Sequence, residues 1–157
     1  MEAFLIKDES NNCKKKFENK RILIICTGNS CRSQMAKGWL MSFDERFDIF
    51  SAGIKPEKLV NPYAVEVMKE VNIDISHEIP KPVDIFTNES FDYVITVCDN
   101  ANNKCPVFEG NVKEYLHFGF KDPADAIGTP TEILEVYRII RDEIRDVMYE
   151  FLSGKLK

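Results

Sequence analysis

The chain has 157 residues, 44% hydrophobic and 30% charged, a balance that supports one packed core and excludes disorder of the whole chain. Its 21 basic and 26 acidic side chains leave a net charge of -5, which repels phosphate backbones and makes nucleic acid an unfavourable partner. The longest uninterrupted apolar run, Ile22-Leu23-Ile24-Ile25-Cys26, falls far short of the ~20 residues of a membrane-spanning helix, so no membrane is expected.

Residues 1–20 contain one small apolar cluster, Phe4-Leu5-Ile6, and end in Lys14-Lys15-Lys16-Phe17-Glu18-Asn19-Lys20. The segment lacks the apolar stretch and cleavage site of a secretory signal, which favours the cytoplasm. It reads as a flexible extension to a single domain over 21–157, with docking of Phe4 to Ile6 as an extra strand the alternative.

From Arg21 the pattern becomes regular. Ile22 to Ile25 form a β-branched run suited to a strand buried on both faces. Asn29-Ser30 are candidate caps for a helix over Cys31 to Phe43, where Met35, Ala36, Trp39, Leu40 and Phe43 recur at helical spacing as one buried stripe. Phe47 to Ser51 predict a second strand, and Ala52-Gly53-Ile54 a turn. Asn61-Pro62 open a helix carrying Ala64, Val65, Val67, Met68 and Val71. Asp92 to Cys98 predict a third strand and Tyr115 to Phe118 a short last one. Thr131 to Leu152 repeat apolar residues as a long amphipathic helix, with Thr129 or Thr131 and Glu132 as an imperfect capping box. Strands alternating with helices pair in parallel through right-handed crossovers. The expected fold is therefore α/β, a three-layer sandwich around a central four-stranded parallel sheet, with a monomer the default.

Cys26-Thr27-Gly28-Asn29-Ser30-Cys31-Arg32-Ser33 joins the first strand to the first helix. Such a loop aims successive backbone N–H groups and the positive end of a helix dipole at one point, which suits a tetrahedral oxyanion. Thr27, Gly28, Asn29, Ser30 and Cys31 are the expected amide cradle. Gly28 is expected to supply backbone freedom, and Asn29 to tolerate a left-handed conformation and tie the loop. Arg32, one turn into the helix, offers a planar fork for two anion oxygens. Cys26 at the floor is expected to act as a thiolate nucleophile at neutral pH, with the Ser33 hydroxyl donating to it. The competing reading makes Cys26 a buried strand-end cysteine.

A leaving oxygen needs an acid. Asp122, in Phe120-Lys121-Asp122-Pro123, is a carboxylate fixed by proline after a short strand, which suits that role, although a turn residue before proline has the same appearance. Cys98 ends the third predicted strand, on the side of the sheet that carries the Cys26 loop. A polar, mobile linker, Asp99 to Lys104, separates it from Cys105. In a reducing compartment, successive thiol attack is a more natural use of these cysteines than a static disulfide; the alternative is a core Cys98 and an incidental Cys105. The thiol of Cys31 fits packing beneath the helix start, and Cys13 an exposed position. His77 and His117 lack the spacing of metal ligands and read as structural or surface residues, so no metal is expected.

Together, Ile25 to Ala36, Gly38-Trp39, Ser51-Ala52-Gly53-Ile54, Val60-Asn61-Pro62, Cys98, Cys105 and Phe120-Lys121-Asp122-Pro123 resemble the thioredoxin-coupled arsenate reductases, which share the fold of low-molecular-weight protein tyrosine phosphatases. The resemblance spans about 20–152. It implies Cys26 as nucleophile on arsenate, Arg32 and the loop amides as oxyanion binders, Ser33 as thiolate stabiliser and Asp122 as leaving-group acid. It further implies that Cys98 attacks the Cys26 adduct, that Cys105 then attacks Cys98, and that thioredoxin, the electron donor, reduces the final disulfide with no bound cofactor. The family often carries Glu where this chain has Lys37, and some members use it with the loop Asn to hold potassium. The Lys37 ammonium is expected to replace that charge. A tyrosine phosphatase acting through a phosphocysteine is the alternative. Against it, Ala124-Asp125-Ala126 follow Pro123 where phosphatases carry aromatic residues, and Gln34 follows the loop Ser where they often carry proline.

Overall fold

The computed structural model describes residues 20–99 and 108–156. The leader with Cys13 and the segment with Cys105 lie outside the described residues. Four strands, β1 (Lys20–Cys26), β2 (Phe47–Gly53), β3 (Ser90–Thr96) and β4 (Asn111–His117), form a wholly parallel sheet in the order β2-β1-β3-β4. The helices are α1 (Arg32–Phe43), α2 (Pro62–Lys69) and α3 (Pro130–Leu156), with 3-10 turns at Val83–Phe86 and Pro123–Asp125.

β1 lies inside the sheet, and Ile22 to Ile25 are wholly buried, each contributing ~2 kcal/mol through removal from water. Ile22, Ile24 and Cys26 face a core shared with Met35, Trp39 and Leu40 of α1, Val67 and Met68 of α2, and Tyr137, Ile144 and Met148 of α3. Leu23 and Ile25 face a smaller cluster with Ala52, Phe86, Phe91, Val94 and Phe108. The expected α/β architecture is present. Among the described residues, the second outer layer consists of the Val83–Phe86 turn and aromatic side chains, with Phe86 and Phe108 set edge-on against Phe91.

Element boundaries differ from expectation for identifiable reasons. β2 continues through Gly53, because Gly53 pairs with Cys26 and donates its N–H to Lys81 O at 2.8 Å. β3 spans 90–96 instead of 92–98, since Ser90 and Phe91 already pair with Asn111 and Val112 of β4. β4 begins at Asn111, four residues before the expected start; Lys113 and Glu114 mask an edge strand whose residues alternate exposed and half-buried. α1 has Cys31 at its N-cap with no side-chain cap bond, and its first turn, Arg32 to Met35, is buried all round instead of along one stripe. Asn61 caps α2 as expected, accepting from Tyr63 N at 2.8 Å, but α2 ends at Lys69, before Val71. α3 starts at Pro130 behind a complete capping box: Glu132 N–H donates to Thr129 Oγ1 (3.2 Å) and Thr129 N–H to Glu132 Oε1 (3.3 Å). Thr129 thus stands at the ideal offset from Glu132.

The strand order places a topological switch point between β1 and β3: the chain leaves β1 towards β2 and leaves β3 towards β4. Crevices of this kind, beyond the carboxyl ends of parallel strands, are the usual ligand sites of open α/β sheets. Cys26 is the last residue of β1, and Cys98 lies two residues beyond the end of β3 instead of closing it.

Candidate active site

Five consecutive carbonyls of the Cys26 loop are turned to its outside. Cys26 O accepts from Ile54 N (3.3 Å), Thr27 O from Lys55 N (2.9 Å), Gly28 O from Glu57 N (2.9 Å) and Ser30 O from Asn61 N (3.0 Å), while Asn29 O accepts from Gln34 Nε2 (3.1 Å). In a trans peptide the N–H points away from its own carbonyl, so the amides of Thr27, Gly28, Asn29, Ser30 and Cys31 face inward. The Asn29 N–H shows the direction, lying 3.1 Å from Cys26 Sγ. α1 begins immediately behind the loop and adds its dipole. The result is an oxyanion cradle with a sulfur at its floor.

Asn29 is the only described loop residue at positive φ, 53°, so the expected left-handed residue is Asn29, whereas Gly28 answers a different demand. A Cβ on Gly28 would lie 3.0 Å from Glu57 Cγ. Gly53 is the tighter glycine: its Cβ would lie 2.6 Å from Thr27 O and 3.0 Å from Asn29 N, so the end of β2 must stay bare for the loop to cross it.

Cys26 is 2% exposed, and its Sγ lies 2.9 Å from Ser33 Oγ. Asn29 Nδ2 donates to Ser33 Oγ at 2.7 Å, and Asn29 Oδ1 accepts from Lys81 N at 2.9 Å. With its oxygen accepting from Asn29, the Ser33 hydroxyl can direct its proton at the sulfur. The geometry therefore provides two donors, Ser33 O–H and Asn29 N–H, to a Cys26 thiolate. Gln34, fully buried, has no partner for Oε1 among the described residues, while its amide nitrogen braces the loop.

The guanidinium of Arg32, 4% exposed, donates through Nη1 to Phe120 O (3.1 Å) and pairs through Nη2 with Asp122 Oδ2 (3.3 Å). Asp122 Oδ1 accepts from Ala124 N at 3.0 Å, capping the Pro123–Asp125 turn. The structure thus places Cys26 against Ser33 and Arg32 against Asp122.

The cradle uses the backbone of Cys31, not its thiol. Its Sγ lies 3.7 Å from Tyr137 Oη and 3.7 Å from Ser30 Oγ, and burial pushes the thiol up to about 11. Burial, with Cys31 nearby, likewise raises Tyr137 above the ordinary phenol range. Cys98, 3% exposed, shares one core cluster with Cys26 and Cys31, and its Sγ lies 3.9 Å from O of Ile25, the residue before Cys26. Among the described residues, Cys26, Cys31 and Cys98 form no disulfide with one another.

His77 is largely solvent-facing, with Nε2 3.5 Å from Glu78 Oε1. Lys37 Nζ lies 3.0 Å from Glu78 Oε2, with both side chains mostly buried. Several supports escaped the sequence reading. Phe120 acts through a backbone oxygen and Lys81 through a backbone nitrogen, neither of which residue type announces. Tyr137 was legible only as a member of the apolar stripe of α3. Gly53, next to Ser51-Ala52, was the available sign of a close backbone approach.

An inward amide cradle with a buried cysteine at its floor, next to a buried arginine that pairs with an aspartate, offers a place for an oxyanion on a parallel α/β sheet. The chain belongs to the low molecular weight phosphotyrosine protein phosphatase family, whose model matches residues 21–154. It is 45% identical over 140 residues to an arsenate reductase of Bacillus subtilis (strain 168), covering 88% of this chain and 99% of that protein. Among solved structures it resembles an arsenate reductase in the phosphate binding state (28% identity, TM-score 0.72, 86% of this chain and 98% of that one). It also resembles a low molecular weight protein tyrosine phosphatase from T. tengcongensis (25% identity, TM-score 0.65, 87% and 99%). No helix among the described residues is long and apolar enough to cross a membrane.

Proposed function

We propose that this protein reduces arsenate to arsenite through a Cys26 thiolate and a relay of Cys98 and Cys105, recycled by thioredoxin. The observation that carries the reading is the Cys26 loop, with five consecutive carbonyls bonded on its outer side and the Asn29 N–H 3.1 Å from the Cys26 sulfur; the 45% identical arsenate reductase supports the choice of oxyanion. Arsenate sits on the amides and Arg32, and the Cys26 thiolate attacks arsenic. Asp122 delivers a proton to the departing oxygen, which leaves as water, and a Cys26 sulfur–arsenic(V) bond remains. The Cys98 thiolate then attacks Cys26 Sγ. The sulfur–arsenic bond breaks with its electron pair on arsenic, which is thereby reduced to arsenite, and the two sulfurs are oxidised to a disulfide. Attack by Cys105 on Cys98 Sγ frees the Cys26 thiolate, and the thioredoxin dithiol reduces the Cys98–Cys105 bond.

The test is arsenate-dependent NADPH oxidation with thioredoxin and its reductase, run beside glutaredoxin with glutathione. Multiple turnover with the thioredoxin couple is expected. Absence of arsenate-dependent oxidation with either couple sinks the reading, and turnover with glutaredoxin alone removes the thioredoxin assignment.

The Lys37–Glu78 pair places an ammonium beside the carboxylate that would otherwise attract a cation. Exchanging sodium for potassium at constant ionic strength is therefore expected to leave arsenate turnover and melting temperature unchanged. A clear rise of either in potassium contradicts this.

Cys26, Arg32 and Asp122 also suffice to form and protonate a phosphocysteine, and a weak aryl phosphatase activity accompanies the proposal. It serves as an internal control, because it needs neither Cys98 nor Cys105.

A further inference from the structure

Thr96 is the last residue of β3, two positions before Cys98, and His117 is the last residue of β4. Thr96 Oγ1 and His117 Nδ1 share a hydrogen bond of 2.6 Å, and Phe118 N–H donates to Thr96 O at 2.9 Å. On the opposite side, Val97 N–H donates to Ile25 O at 3.0 Å. The chain is thus held from both neighbouring strands just before Cys98. Among the described residues β4 is the outermost strand of the sheet, with no further strand reinforcing its grip on β3. Thr96 is buried, with 7% of the residue exposed, whereas His117 belongs to the exposed residues. A buried hydroxyl tied to a ring on the rim forms a latch across the two strand ends.

We infer that His117, acting through Thr96, is a positioning residue for the resolving thiol, fixing the strand end from which Cys98 reaches the Cys26 sulfur. This rests on the relay proposed above. Attack on sulfur requires the incoming thiolate in line with the breaking bond, and a misplacement of ~1 Å costs up to about a hundredfold in rate. Cys98 stands one residue beyond the last backbone bond of β3 to β1, so rotation of the strand end passes directly to its Sγ. Asp122 keeps anchors of its own, Arg32 and Ala124 N–H, so loss of the latch falls on the second thiol and not on the acid.

The test measures two activities of the full chain: arsenate-dependent NADPH oxidation with thioredoxin, and hydrolysis of p-nitrophenyl phosphate. Thr96→Val removes the hydroxyl while preserving shape, and His117→Ala removes the ring. Each is expected to lower kcat for arsenate by at least about tenfold while leaving phosphatase kcat within about twofold. Thr96→Ser, which restores the hydroxyl, and His117→Asn, which returns a polar atom near the Nδ1 position, are expected to recover most of the loss. The double variant Thr96→Val/His117→Ala should lose less than the two single losses combined, since the Thr96–His117 bond is common to both.

Wild-type arsenate turnover in both Thr96→Val and His117→Ala overturns the inference, as does a parallel fall of both activities, which would mark a general structural role. Wild-type protein inert towards arsenate but active on the aryl phosphate overturns the relay itself, and this inference with it.

Discussion

Replacing Cys98 by serine is expected to reduce arsenate-dependent NADPH oxidation to background, a loss of at least about a thousandfold, while p-nitrophenyl phosphate hydrolysis stays within about threefold of wild type. The separation follows from where the groups stand. In the proposed scheme, binding and the first displacement use the loop amides, Cys26, Arg32 and Asp122, which lie around β1, α1 and the Pro123–Asp125 turn. Cys98 enters only when the sulfur–arsenic bond must be broken from the sulfur side, and a hydroxyl cannot do this at neutral pH because no significant fraction is ionised. The substitution is also structurally mild: a serine hydroxyl at this buried position can donate to the Ile25 carbonyl now 3.9 Å from Cys98 Sγ. Cys105→Ser should behave differently. Its first turnover proceeds and stops at a Cys26–Cys98 disulfide, visible as loss of a pair of titratable thiols and by mass mapping after alkylation. A Cys98→Ser protein that continues to cycle removes Cys98 from the relay. A Cys98→Ser protein that loses both activities reveals a role for its side chain in the cradle itself.

The chemistry-bearing residues were legible because each announces itself by type. Cys26 closes a β-branched run, Arg32 and Ser33 follow at fixed offsets, and Asp122 is pinned by Pro123. The structure joins Cys26 to Ser33 and Arg32 to Asp122, with Ser33 and Arg32 adjacent at the start of α1. Their supports were not legible, because backbone atoms provide most of them. The cradle is held open by Ile54, Lys55, Glu57 and Asn61 N–H groups and by Gln34 Nε2, and Arg32 is steered by Phe120 O. Any residue except proline could supply such a backbone N–H, so composition carries no trace of it. Gly53 shows the opposite case. Its identity is dictated by the approach of Thr27 O and Asn29 N, yet in sequence a glycine after Ser51-Ala52 reads first as a turn.

Boundary errors have a similar physical origin. β4 pairs along Asn111 to His117, but it is an edge strand with alternate residues exposed, and Lys113 and Glu114 leave only Tyr115 to Phe118 looking like a strand. The sequence of α1 has an amphipathic pattern, whereas its first turn is buried on every side because Ser33 and Gln34 pack into the Cys26 loop and Arg32 reaches the Asp122 loop. Local patterns fail at the active site, where polar side chains are buried for function and not for packing.

Replacing Arg32 by lysine is expected to depress arsenate reduction and aryl phosphate hydrolysis together, each by about a hundred- to a thousandfold in kcat/KM, the usual cost of removing one well-placed oxyanion donor. The charge survives the change; the geometry does not. A guanidinium holds several N–H donors in one plane, so Arg32 can satisfy Phe120 O with Nη1, meet Asp122 with Nη2 and still present its remaining edge to the cradle. A single ammonium, on a shorter reach, must choose. If it stays with Asp122, the charge growing on the transferring oxyanion loses its bidentate partner; if it turns to the anion, Phe120 O is left in a buried environment without its donor and Asp122 loses the contact that orients it. The fold should survive, since Phe120, Asp122 and the Ala124 N–H remain and the positive charge beside the carboxylate is kept. Melting temperature is therefore the control, expected to change by no more than a few degrees, as for a loss of about 1 kcal/mol. Equal loss of the two activities with retained stability sets this variant apart from Cys98→Ser, which divides them. Kinetics within about tenfold of wild type would show that the amides alone bind the anion and that Arg32 serves only to hold the Asp122 loop in place.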